Sequence, residues 1–167
     1  MNILFIVLSL AAMLGLVALH ARGFIRTPRI LRLANIGEGT HCGSISKKAD
    51  AAIATRNLLV KFGSDGDHVA ACGANDIPLG PVDDEAEAAE DFINVRLLGV
   101  DGMTQLMVAS EAITAGEAVF TAANGKVQDL PGGAGTYYQV GYALTAAGAD
   151  GDVIEVQHCA PIKTVVS

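Results

Sequence analysis

Ala118-Val-Phe-Thr-Ala-Ala-Asn-Gly-Lys-Val-Gln128 decides the class of this fold. Asn124-Gly125 lies between two short runs that carry apolar residues at strand spacing. A type I′ turn needs positive φ at both central residues, and Asn-Gly meets that demand better than almost any other pair. The stretch therefore predicts a tight β-hairpin.

Working outward, the same text occurs about sixty residues earlier. Ala52-Ile53 corresponds to Ala112-Ile113, and Leu59-Val60 to Val119-Phe120. The turn Gly63-Ser-Asp-Gly66 corresponds to Ala122-Ala-Asn-Gly125, with Val69 and Val127 following. Next, Ile77-Pro-Leu-Gly80-Pro-Val82 matches Tyr138-Gln-Val-Gly141-Tyr-Ala-Leu144. Each copy continues through an Ala-containing stretch (residues 83–91 and 145–152) into an alternating strand, Phe92-Ile-Asn-Val-Arg-Leu-Leu98 or Val153-Ile-Glu-Val-Gln-His158. Residues 50–110 and 111–167 thus read as a duplicated β unit. The expected fold is all-β, a small barrel or sandwich built from two pseudo-repeated hairpin units. The two copies are expected to pack about a pseudo-twofold axis and share one Val/Ile/Leu core. Little helix is expected apart from an N-terminal apolar helix. Residues 83–91 (DDEAEAAED) read equally as a short helix or a loop.

Composition narrows the function. The 167 residues carry a net charge of −7, 5% aromatic residues and no Trp. Neither the charge nor the aromatic content suits nucleic-acid binding. Three Cys without a C-x-x-C pair supply no disulfide framework and no conventional zinc site. The charge is uneven: residues 1–49 hold six Lys/Arg and one acidic residue, a balance of +5, whereas residues 50–167 hold five Lys/Arg and seventeen Asp/Glu, a balance of −12. Such asymmetry separates an extension, residues 1–33, from the rest.

That extension begins with an apolar run through Leu19 and continues with Arg22, Arg26, Arg29 and Arg32. The run just reaches bilayer-spanning length, and the positive charge after it favours a membrane anchor over a signal peptide. A start assigned too early, adding translated upstream sequence, is the competing reading. Residues 34–49 read as an extended arm, polar with Gly and Lys47-Lys48.

Little in the chain suggests chemistry. The acidic run 83–91 lacks the alternating ligand order of a calcium loop, so a solvated loop is the better reading. His41-Cys42 and His158-Cys159 stand at opposite ends of the domain, and Cys72 sits in an apolar strand context. The Gly-rich Leu130-Pro-Gly-Gly-Ala-Gly135 lacks the Lys-Ser/Thr of a phosphate-binding loop. No catalytic residue, cofactor site or metal site is assigned, and no enzyme is expected.

In order and spacing, several stretches resemble the capsid decoration (cement) proteins of tailed phages and prophages. These are Asn35-Ile-Gly-Glu-Gly-Thr-His41, Asp50-Ala-Ala-Ile-Ala-Thr-Arg-Asn-Leu-Leu-Val-Lys-Phe-Gly63, Met107-Val-Ala-Ser-Glu-Ala-Ile-Thr-Ala-Gly116 with the hairpin after it, Gly141-Tyr-Ala-Leu-Thr-Ala-Ala-Gly-Ala-Asp-Gly-Asp152 and a terminal Val-rich strand. The resemblance covers residues 35–167 and departs from the family at residues 1–33. It implies a non-enzymatic virion protein, made in the host cytoplasm, that binds the major capsid protein on the outside of the assembled shell and stabilises it, commonly as a homotrimer. The arm, with Asn35, Ile36, Gly37, Glu38, Gly39, Thr40 and His41, is the expected capsid contact, by strand addition. The alternative is a membrane-anchored or exported β-sandwich binding module of unknown ligand, its membrane contact made through residues 1–33.

Overall fold

The computed structural model describes residues 43–100 and 102–167. The extension 1–33, the first part of the arm and the candidate contact residues 35–41 lie outside the described residues. No α-helix occurs among those described. The first five strands are β1 (Ser44–Ala49), β2 (Leu59–Phe62), β3 (His68–Ala71), β4 (Gly80–Pro81) and β5 (Phe92–Arg96). The second five are β6 (Gln105–Val108), β7 (Ala118–Thr121), β8 (Val127–Gln128), β9 (Gly135–Ala143) and β10 (Val153–Val166).

The strands form two five-stranded sheets, ordered β4-β2-β3-β1-β5 and β6-β10-β9-β7-β8. Both sheets close on themselves. In the first, Val82 bridges Val95 antiparallel, joining the end of β4 to β5. In the second, Ala109 bridges Val127 in parallel, joining the end of β6 to β8. Closure makes the two cyclic orders identical, with β1 to β5 corresponding to β6, β8 and β10 in the roles of β1, β3 and β5, and to β7 and β9 in those of β2 and β4. The parallel pair Ala49↔Val69 corresponds to Ala109↔Val127, and Leu59↔Pro81 to Ala118↔Tyr142. The fold is thus two small barrels in tandem, which decides between the barrel and the sandwich.

Each barrel has its own interior. The first is filled by Ala49, Ile53, Val60, Val69, Val82, Ala86, Ile93 and Val95. The second repeats that set residue for residue as Ala109, Ile113, Val119, Val127, Ala143, Ala147, Ile154 and Val156. The expected single shared core is therefore corrected to two. Leu59, Cys72 and Leu98 of the first half pack into the second core, and hydrogen bonds from Gly125 N–H to Cys72 O (2.6 Å) and from Gly99 N–H to the His158 ring Nδ1 (2.9 Å) tie the barrels together.

Two boundaries differ from the sequence reading. The first repeat begins at β1, inside the expected arm. β1 hydrogen-bonds to β3 on one side and β5 on the other, and its Lys47 occupies the interior position that Met107 holds in the second barrel. The apolar stem of Lys47 fills the barrel while its ammonium leaves at one end, donating to Gly66 O with the Phe62 ring 5.6 Å away. Two adjacent lysines hid this strand. The equivalence Leu59-Val60 with Val119-Phe120 is one residue out: Val60 and Val119 are the matching interior residues, facing Gly80 and Gly141. Residues 83–91 form a loop, in which the Asp91 carboxylate accepts from the Glu87 and Ala88 N–H groups (both 2.9 Å). Asp152 does the same for Gly148 and Ala149 in the second copy.

The Asn124-Gly125 turn is as expected, with φ of 59° and 75°. The other decisive glycines are Gly80 and Gly141, where neighbouring strands come too close for a side chain. A Cβ on Gly80 would lie 1.6 Å from Arg96 O, and one on Gly141 would lie 2.4 Å from Gln157 O. Gly80→Ala and Gly141→Ala should each destabilise the protein by about 3 kcal/mol in urea unfolding, the cost of forcing barrel strands apart. Gly66→Ala, where a Cβ meets nothing within 4 Å, should stay within about 0.5 kcal/mol of wild type.

Candidate functional site

The chemistry-bearing residues do not converge. Cys72 is buried with its thiol bonded to Gly73 O (3.4 Å) and Asp76 O (3.6 Å), and burial pushes its pKa up to about 12. Burial also raises the thiol of Cys159, whose nearest acceptor is Gln139 O at 4.0 Å. His158 is tied to the junction between the barrels through Gly99, and His41 and Cys42 lie outside the described residues. Among the described residues, no group of three or more His, Cys, Asp or Glu could hold a metal ion. The acidic run is spent on structure: Asp83 pairs with Arg96 (2.5 Å) and accepts from Asn94 (2.6 Å), while Asp91 caps its turn. Residues 130–134 form an irregular link into β9, which begins at Gly135.

A shallow cleft of about 280 Å³ opens where β1, β5 and β6 meet, lined by Ser44, Asp83, Arg96, Thr104 and Gln105. Its charges neutralise each other through the Asp83–Arg96 pair. Nothing in it resembles a nucleophile beside a base.

The densest polar cluster joins β1, β3 and the loop before β5. Lys48 donates to Glu90 Oε2 (2.6 Å), and a protonated His68 donates from Nε2 to Glu90 Oε1 (2.9 Å) and from Nδ1 to Asp65 Oδ1 (2.7 Å). The hydrogen bond to Asp65, then that to Glu90, raises the His68 pKa. Lys48 and then His68 lower that of Glu90, and His68 chiefly lowers that of Asp65. The second barrel links the corresponding segments with one ion pair, Lys126–Asp150 (2.6 Å). These are surface clasps between neighbouring strands and loops.

With filled interiors and a neutral cleft, what remains for function is outer surface. One part of it escaped the sequence reading. β9 and β10 run on past the second barrel as a two-stranded ribbon, pairing Ile162↔Gln139 through Val166↔Gly135 after a bulge between His158 and Ile162. A terminal run of β-branched residues facing Thr136-Tyr-Tyr138 was the available signal. The residues 35–41 of the expected contact are not among those described. No helix of the described residues is long and apolar enough to cross a membrane.

Comparison with known proteins agrees with this architecture. A family model described as phage cement protein matches residues 49–158. The crystal structure of the head fiber gp8.5 N base in bacteriophage phi29 is similar, with a TM-score of 0.54 at 17% identity, covering 74% of this chain and 97% of that one. At that identity the likeness concerns the fold. No curated protein matches.

The charge cluster makes stability depend on pH in a defined direction. A raised His68 pKa contributes stability that is fully present below its ordinary 6.5 and is lost as pH rises through the folded value. The lowered Asp65 and Glu90 contribute stability that is present above their ordinary 3.8 and 4.5 and is lost as pH falls through their folded values. In urea unfolding, the advantage of wild type over His68→Gln should therefore be largest near about pH 5.5 and shrink by about pH 8.5. An advantage that grows toward alkaline pH would contradict the cluster.

Proposed function

The chain belongs to the phage cement protein family and is a capsid-associated structural protein, and from that premise we propose that it binds the outer face of the assembled shell and braces it. One observation of the molecule carries this reading: both barrels are filled by their own side chains, so binding belongs to edges, loops and faces. Such a unit suits broad contact with another protein surface rather than turnover of a small substrate. We accordingly propose a non-enzymatic role, without cofactor, in which the partner is the major capsid protein and the protein acts as a homotrimer.

The capsid contact is proposed to be made by residues 35–41, which stand just ahead of β1. An extended peptide there would add to a strand edge of a capsid subunit, its backbone supplying affinity and its side chains the choice of partner. Net acidity of residues 50–167 keeps unassembled copies soluble and sets the sign of the capsid surface they would suit, a neutral or basic one. The alternative, a membrane-anchored or exported binding module, is not favoured by the family membership.

Co-sedimentation with purified undecorated capsids of the same phage tests the proposal. Saturable binding in proportion to capsid symmetry is expected. Deleting residues 35–41, which leaves β1 intact, should weaken binding at least about tenfold, a loss of about 1.4 kcal/mol. Unchanged affinity would reject this segment as the contact, and no binding at micromolar protein would reject the capsid role.

A further inference from the structure

We propose that the β9–β10 ribbon is the seam between copies of this chain, the outer edge of β10 in one copy pairing with the outer edge of β9 in the next. This deepens the homo-oligomer part of the reading above and rests on it.

The first barrel shows what the fold needs in order to close. There the strands corresponding to β9 and β10 are β4, with two residues, and β5, with five. The second barrel uses nine and fourteen. The surplus, residues 135–138 with 163–166, closes nothing, whereas Gln139 still pairs with Phe120 of β7. Beyond Gln139 the described pairings of β9 are with β10 alone, and beyond Val156 those of β10 are with β9 alone. A lone two-stranded ribbon is marginal in water, and apart from the Tyr138 N–H, which donates to Thr121 Oγ1 (3.1 Å), its outer edges present backbone donors and acceptors. Ile162 and Val165 stand 53% and 69% exposed on its two faces.

Charge identifies the occupant. Residues 50–167 carry −12, yet residues 156–167 and β9 hold one charged side chain between them, Lys163. Two copies meeting elsewhere would confront carboxylates with carboxylates; along the ribbon they meet without burying one. Because the two edges differ, the contact is heterologous, and repetition about an axis along the strands keeps every pairing antiparallel and closes a ring.

Native mass spectrometry and hydrogen exchange on the full-length protein test the seam. Wild type should form a closed ring of a few copies, with amides of residues 135–138 and 162–166 exchanging at least tenfold more slowly than in a double variant, Ile162→Asp with Val165→Asp. That variant should be a single copy with an unchanged circular dichroism spectrum. Lys163→Glu, a milder change at an exposed site, should weaken association at least tenfold, whereas Ile77→Asp, at another exposed apolar residue, should leave it intact. A single-copy wild type, or a double variant that keeps the wild-type copy number and ribbon protection, overturns the seam. Capsid binding by a single-copy wild type would sink the seam while leaving the capsid role standing. A ribbon-sealed ring that ignores capsids would do the reverse.

Discussion

Barrel closure governs this molecule. Five strands enclose so little volume that Ala, Val and Ile make up most of each interior, with Leu59, Leu98, Cys72 and Met107 added in the second. Gly80 and Gly141 sit where closing strands press backbone to backbone, and a single methyl group at either place would collide with the neighbouring chain. The composition follows from that geometry. Small and β-branched residues dominate both interiors, and among the described residues Gly80, Gly125 and Gly141 serve a turn and close approaches. Side chains fill both interiors.

The two barrels share a skeleton and differ in how they are clad. Eight interior positions correspond one to one, as do the turn-capping carboxylates Asp91 and Asp152 and the paired bridges Ile53↔Ala86 and Ile113↔Ala147. Left-handed positions correspond too: Asn57 and Glu90 stand where the second copy has Gly116 and Gly151. Glu90 accepts that unfavourable backbone while its carboxylate holds both Lys48 and His68. The first barrel has gained a charge clasp, and the second has gained a ribbon. Divergence has been spent on surface contacts while closure was kept.

What could be read in the sequence were features fixed locally or by repetition. Asn124-Gly125 dictates its turn through φ alone, and the shift of about sixty residues brings Ile53 onto Ile113 and Gly80 onto Gly141. Features fixed by long-range packing were not legible. β1 looked like a polar arm because Lys47 and Lys48 are adjacent, and only the barrel end explains how a lysine stem can stand in for Met107. The one-residue slip at Val60 arose because Val119 and Phe120 are both apolar, so alternation could not choose between them. The ribbon was missed because strand length past a barrel is set by what the strand meets, which no local propensity records. Of the site, the contact assigned to residues 35–41 rests on the family resemblance.

The central claim is that two closed barrels, with no working interior, serve as a brace on the outside of a phage shell. Cryo-electron microscopy of undecorated capsids mixed with this protein tests it most directly. The account predicts ordered density on the outer surface, at symmetric sites, into which the two-barrel unit fits with its ribbons meeting between copies. Bare outer surfaces at saturating protein, or density confined to the shell interior, would contradict it.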